Sequence, residues 1–373
     1  MPRCGQLPLL NSAFHCWYAL SYSPLTLARP VGGISGTQST MYWSSPRRKV
    51  FFYACFVVFA TFIGKSTASL GDHLPDFKEC VKICQTENCQ DGNSEIPFHL
   101  RLMWWTCPAE CDYTCQHVVT DRRVARDPPM LNPVVQFHGK WPFRRIMGMQ
   151  EPFSVLFSLL NFYAHWHGLS RIRETMSTWH TSLRTYYLAF GYCGLACWTF
   201  SSIFHARDFS LTEKLDYFGA GANVMYGLYL AIIRIFRLDK EEPRTKPTLR
   251  RLWTVVCIFL YTLHVSYLSF WSWDYTYNMI ANIVVGMTQN LLWVAFSIFR
   301  YRSTDKTWTL LPAICVVWIM LAMSLELLDF PPWHALIDAH SLWHLGTVIP
   351  TALWYMYLEK DIEEDVRGKR YKA

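Results

Sequence analysis

Ser201 and His205 stand four residues apart, and His340 and His344 repeat that spacing. On a helix, residues four apart share a face. Ser201 and His205 close an apolar run, Asp216 opens the next, and His340 and His344 open another far downstream. Three imidazoles and a carboxylate at the ends of apolar helices fit a catalytic Zn²⁺ site. His205, His340 and His344 are its three expected ligands, and a fourth position stays open for water. Zinc held in this way lowers the pKa of the water towards neutrality. Asp216 then accepts the water's proton or orients a ligand histidine. Ser201 donates to a developing oxyanion or to the water. A Ser-His-Asp triad is the rival chemistry. It fixes Ser201 and His205 on one helix face and leaves two histidines without a role.

The elements that must carry these groups are long and apolar. Half of the 373 residues (51%) are hydrophobic, and the chain holds 17 Trp and 24 Phe, more aromatic surface than a soluble fold easily hides. A spanning helix needs about 20 predominantly apolar residues. Seven runs approach that length: 152–169, 185–204, 216–236, 252–270, 277–299, 307–325 and 341–358. A soluble bundle shows polar faces at helical period, whereas 185–204 and 252–270 contain no charged residue. The net charge of +7 is spread among the links and does not call for nucleic acid. The expected fold is an all-α membrane protein, a seven-transmembrane helix bundle with a small disulfide-rich lumenal N-terminal domain.

Residues 1–40 show no pattern and read as an unassigned extension or a mispredicted start. Residues 41–68 read as a secretory signal peptide, so translation can begin at Met41. Arg47-Arg48-Lys49 is the basic region, Val50 to Ile63 the apolar one, and Ser66-Thr67-Ala68 the small residues for cleavage. Residues 69–150 are then a lumenal cysteine-rich domain holding Cys80, Cys84, Cys89, Cys107, Cys111 and Cys115. An even set in a secreted segment reads as disulfides. Cys80/Cys84 and Cys111/Cys115 have helical spacing, which predicts two short helices stapled face to face, with Cys89 and Cys107 closing the turn. Residues 151–358 form the hydrolase bundle and 359–373 a cytoplasmic tail.

Loop charge orients the bundle. The links 170–184, 237–251 and 300–306 hold twelve Lys and Arg, while 205–215, 271–276 and 326–340 hold two. Positive charge marks the cytoplasmic side. This places the N-terminal domain in the lumen, the C-terminus in the cytoplasm, and Ser201, His205, Asp216, His340 and His344 at one depth on the lumenal side. Their meeting requires the second, third and seventh spans to be neighbours. His138, Lys140, Arg144 and Arg145 read as an interfacial anchor, or else as contacts to a lipid headgroup or phosphate. Glu326 and Asp329 fix a turn or line the site entrance. Asp338 caps the seventh span or orients a histidine. His165, His167 and His264 read as packing residues.

Taken together, Ser201-x₃-His205, Asp216 and His340-x₃-His344 across seven spans resemble the CREST superfamily of membrane hydrolases, which includes alkaline ceramidases and adiponectin receptors. Phe137-His-Gly-Lys-Trp-Pro-Phe143, His205-Ala-Arg-Asp208, Leu211-Thr-Glu-Lys-Leu-Asp-Tyr-Phe218, Leu327-Leu-Asp-Phe-Pro-Pro332 and Asp338-Ala-His-x-x-Trp-His344 are similar to the PER-like post-GPI-attachment to proteins factor family over roughly residues 75–373. The resemblance implies remodelling of GPI anchors, namely removal of the sn-2 acyl chain from their phosphatidylinositol in a phospholipase A2-type reaction. It also implies a Golgi or endoplasmic reticulum membrane, with GPI-anchored proteins and their lipid as partners. It carries metal ligation to His205, His340 and His344, and the superfamily's Ser and Asp positions to Ser201 and Asp216. A ceramidase-like amidase, or a non-catalytic GPI-protein escort with a structural metal, are the alternatives.

Overall fold

The computed structural model describes residues 69–89, 96–174 and 181–370. The expected extension (1–40) and signal peptide (41–68) lie outside these residues.

The N-terminal domain is built on the cysteine spacing. A short helix, α1 (Leu70–His73), leads into α2 (Pro75–Asn88). A proline opens α2, where its missing N–H would have no helical acceptor. Then come α3 (Phe98–Leu102) and α4 (Cys107–Val124), the latter capped by the Thr106 hydroxyl accepting from the Ala109 amide. Cys80 pairs with Cys115, Cys84 with Cys111 and Cys89 with Cys107. Numbers rise along α2 as they fall along α4, so the two helices are antiparallel and stapled face to face, as their i, i+4 cysteines predict. The core they enclose is small, formed by Phe77, Cys115, Val119, Val135 and Phe137. Cross-links stabilise a domain whose buried area is this limited.

The remaining long helices are α5 (Pro152–Glu174), α6 (Ser182–Ala206), α7 (Ser210–Ile235), α8 (Thr245–Ser266, extended by a π turn through Trp271), α9 (Tyr275–Thr304), α10 (Leu311–Leu328, preceded by a 3₁₀ turn) and α11 (Ala339–Arg370). Among the described residues there is no strand, only isolated bridges. Among the described residues, five helices are long and apolar enough to cross a membrane: Ser182–Ala206, Ser210–Ile235, Thr245–Trp271, Tyr275–Thr304 and Thr307–Leu328. Seven were expected. The two that fall short, α5 and α11, have the length but carry Ser158, Asn161, His165, His340 and His344, the polar side chains on which the interior is built.

Packing follows a closed ring, α5–α6–α7–α9–α10–α11 and back to α5, with α8 lying against α7. Thus α6 and α7 are neighbours, and α5 and α11 complete the wall around the site. Two glycines permit the close approach: a Cβ on Gly168 would sit 2.1 Å from the Tyr355 ring, and one on Gly194 2.2 Å from the His165 ring. His165 accordingly packs, with its Nδ1 3.0 Å from the Tyr355 hydroxyl. At the far end, Ile172, Leu183, Tyr187, Leu230, Leu358 and Ile362 form the main core. Residue 358 is therefore no structural boundary. Helix α11 continues through the expected tail, because Ile362 is buried and Asp361 is bound by Arg234.

The N-terminal domain sits on the histidine end of the bundle. Trp141 Nε1 and the Gln136 amide each donate to Asp329 at 2.9 Å, and the Arg144 amide donates to the Ala335 carbonyl. Asp329 thus ties the domain to the α10–α11 link.

Candidate functional site

His205 ends α6 and Ser201 lies one turn earlier. Both are buried. His340 and His344 occupy the first turns of α11. That helix starts where it does because Asp338 and Ser341 cap each other: the Ser341 amide donates to Asp338 Oδ1 (2.9 Å) and the Asp338 amide to Ser341 Oγ (3.0 Å). Of the two roles open to Asp338, the structure shows the cap.

One ligand atom from each of His205, His340 and His344 lies within 4.8 Å of the others. The outer nitrogens are all engaged. His205 Nδ1 meets Glu151 Oε2 at 2.8 Å, His340 Nδ1 meets Glu326 Oε2 at 2.7 Å, and His344 Nδ1 meets Ser158 Oγ at 2.9 Å. Carboxylates accept, so His205 and His340 hold their protons on Nδ1 and turn Nε2 lone pairs inward. Those two Nε2 atoms are 3.4 Å apart. Facing lone pairs repel unless a cation lies between them or one ring takes a second proton. The separation matches the edge of a tetrahedron with Zn–N bonds of about 2.0–2.1 Å. Histidine ligands backed by carboxylates are the usual outer arrangement of a zinc site. The donor set therefore fits zinc. The other group with metal-like spacing, Cys89, Cys107 and Cys111, is consumed by disulfides.

Glu151 is the hub beneath the N-terminal domain. Besides His205 it takes the Lys140 ammonium at 2.5 Å, and Lys140 also pairs with Asp208 at 3.0 Å and lies over the Phe204 ring. Burial alone would raise the Glu151 carboxyl. Lys140 and then His205 outweigh it and hold that carboxyl well below the usual range. The reading of the 138–145 stretch as an interfacial anchor is thereby corrected. Lys140 is spent on an internal ion pair, Arg145 on Glu110, and His138 on Asp112.

Asp216, near the start of α7, interacts electrostatically with His205 and His340, yet its carboxylate holds no hydrogen bond among the described residues. Ser201 Oγ contacts Ser158 Oγ at 3.0 Å and no imidazole. With Nε2 of His344 turned inward, its Nδ1–H donates to Ser158, Ser158 donates to Ser201, and the Ser201 proton is left free to donate. The five residues expected from spacing do gather. Glu151 and Ser158 were given no role in the sequence analysis, and Glu326 was read as a turn or entrance residue.

Glu151→Gln and Glu326→Gln are each expected to weaken zinc binding 10–100-fold, the usual cost of losing such a partner. Chelator competition on purified protein measures this, and unchanged affinity in both would show that the carboxylates do not hold the rings.

A family model described as the Per1-like family matches residues 97–362. The chain belongs to the Per1-like family. Per1-like relatives include the Schizosaccharomyces pombe "Protein PER1 homolog", 40% identical over 328 residues (85% of this chain, 96% of that protein). The Xenopus laevis protein named "GPI-specific phospholipase A2-like PGAP3" is 36% identical (80% of this chain, 92% of that protein), and the Homo sapiens protein of the same name is 34% identical (83% and 94%).

Proposed function

We propose that this Per1-like protein is a zinc-dependent acyl-ester hydrolase that removes the sn-2 acyl chain from the phosphatidylinositol of GPI anchors. The observation that carries this reading is the pair of Nε2 atoms 3.4 Å apart, on rings whose Nδ1 atoms each meet a carboxylate. The printed name shared by several relatives supports the substrate. In this reading α5 and α11 also cross the membrane, making seven spans. The cysteine domain faces the lumen of the Golgi or endoplasmic reticulum and the C-terminus the cytoplasm, in keeping with the loop-charge asymmetry.

His205, His340 and His344 would hold a zinc ion, which would supply a Lewis acid for the ester carbonyl and an activated water as nucleophile. Asp216, free of other bonds, takes the proton from the attacking water and returns it to the departing glycerol oxygen, so that lysolipid and fatty acid leave with atoms balanced. Ser201 donates to the oxygen that gains charge. Glu151, Glu326 and Ser158 keep the three rings turned inward. As a nucleophile Ser201 would need a base to receive its proton, and its neighbour Ser158 already donates to it.

The test is hydrolysis of a defined GPI lipid by purified protein, with lyso-GPI and fatty acid read by mass spectrometry. Release of the sn-2 chain is expected. Ser201→Ala is expected to slow it about 10²–10³-fold, the loss of one oxyanion donor. An acylated Ser201 trapped from wild type would replace this mechanism with covalent catalysis.

A further inference from the structure

A cavity of about 250 Å³ lies between the N-terminal domain and the bundle. Its walls come from α4 (Asp112, Gln116), the 137–150 loop (Lys140, Trp141) and the link after α6 (Arg207, Asp208). Two contacts link its lining to the histidines: Lys140 lines the cavity and bonds Glu151, which bonds His205.

We infer that this cavity binds the phosphorylated cyclitol–sugar headgroup of the lipid whose ester the histidine site cleaves, an assignment that rests on the function proposed above. Three features point to that chemistry. The first is the lining, in which Trp141 offers a flat apolar face while Asp112, Gln116 and Gln150 offer polar edges. Sugar-like rings have apolar C–H faces and a rim of hydroxyls, so they need both. Tyr113 Oη accepts from the Arg145 amide, which leaves its own proton to donate.

The second feature is an unpaired guanidinium donor. The guanidinium groups of Arg207 and Arg145 both pack on the Trp105 ring, at 4.1 and 4.3 Å from its centre. Arg207 Nε is buried and has no hydrogen-bond partner among the described residues; the same holds for Arg145 Nη1, although Arg145 Nη2 pairs with Glu110. A buried donor left unpaired is costly, and guanidinium donors are matched to phosphate oxygens. Burial first, and then the Arg145 charge, lower the Arg207 guanidinium from its usual value despite Asp208. An anion in the cavity would relieve Arg207, which lines it.

The third feature is position. In a phospholipid the ester lies between headgroup and acyl chains. A headgroup held above Glu151 brings the ester towards His205, while the chains point into the bundle and bilayer.

The test uses full-length protein in lipid nanodiscs and three soluble probes: glucosaminyl-inositol phosphate without acyl chains, inositol phosphate and inorganic phosphate. Calorimetry is expected to show glucosaminyl-inositol phosphate binding to wild type and equally to His344→Ala, because binding does not need catalysis. Inositol phosphate should bind more weakly and inorganic phosphate far more weakly. Arg207→Gln and Gln116→Ala should each reduce headgroup affinity about tenfold or more, the scale of one hydrogen bond to a charged group. In turnover, Arg207→Gln should lower kcat/KM for a glycosylated inositol lipid by a similar factor. An unfolding midpoint equal to that of wild type shows that the variant is folded. Equal binding of inorganic phosphate and headgroup, or headgroup binding untouched by both variants, overturns the assignment even if the lipid is hydrolysed. Headgroup binding that is lost in Arg207→Gln, in a protein that hydrolyses no lipid, supports the cavity assignment and overturns the hydrolase reading instead.

Discussion

Replacement of His344 by alanine is expected to abolish acyl release while leaving the protein folded and inserted. His344 is buried, and its Nδ1 is fixed by Ser158 so that Nε2 joins the other two rings. Without it a zinc ion would keep only two imidazoles, its affinity would fall, and the water it would activate would be lost. The drop should exceed about 10³-fold, since removing one oxyanion donor alone already costs about 10²–10³. Zinc content by elemental analysis should fall with activity. The fitting control is His264→Ala. That histidine is half-buried, its Nδ1 lies 3.4 Å from the Tyr277 hydroxyl, and it is remote in sequence from any ligand-spaced partner, so its loss should be mild. Full activity in His344→Ala, or equal damage in both variants, would sink the zinc reading.

The histidine cluster was legible because helical spacing writes itself into sequence. Two i, i+4 pairs and one acid at the mouths of apolar runs needed only the alternation of span direction to be placed at one depth. The face-to-face staple of two cysteine helices was legible for the same reason. The pairing itself was not, because two pairs of cysteines each four apart admit a parallel or an antiparallel staple, and the fold takes the second. The carboxylates behind the histidines were not legible as such. Glu151 precedes Pro152 and resembles an ordinary helix start. Only the fold reveals that the start of α5 lies beside the end of α6, where the Glu151 amide also donates to the His205 carbonyl. Glu326 is the single acid in an otherwise apolar helix, a usable signal, but its partner His340 is 14 residues away across a link containing two prolines. Ser158 has no signal at all among the serines of α5. The span ends were blurred for a further reason. A helix whose polar groups face inward looks less apolar than it is on its outer side, so α5 and α11, the helices richest in site residues, are the two that hydropathy marks least clearly.

Loss of the Asp361 carboxylate is expected to destabilise the bundle more than any single change outside the zinc site. Asp361 lies four turns and more beyond His344 on α11, about 25 Å along the axis at 1.5 Å per residue. It accepts from Arg234 through both oxygens (2.6 and 2.5 Å) and from the Tyr187 hydroxyl (2.6 Å). Arg234 is 4% exposed and Asp361 1%, so neither charge has water to fall back on. Truncating one member of such a pair leaves the other buried and uncompensated, which costs about 3–5 kcal/mol. Asp361→Ala should therefore lower the unfolding midpoint in detergent sharply. The double variant Arg234→Leu, Asp361→Leu should recover most of the loss, because two apolar side chains of similar bulk leave no charge stranded. The pair joins α7 to α11, the helices that carry Asp216 at one end and His340 and His344 at the other. Holding their far ends together fixes the rotation of α11, and that rotation aims the two histidines at His205. Asp361→Ala protein that survives purification should accordingly bind zinc more weakly, although no ligand has changed. Unfolding midpoints and zinc affinity measured on the same three proteins decide the point. A single variant as stable as wild type would show that the pair is dispensable. A destabilised variant with unchanged zinc affinity would show that the first turns of α11 are set locally, by the Asp338 cap.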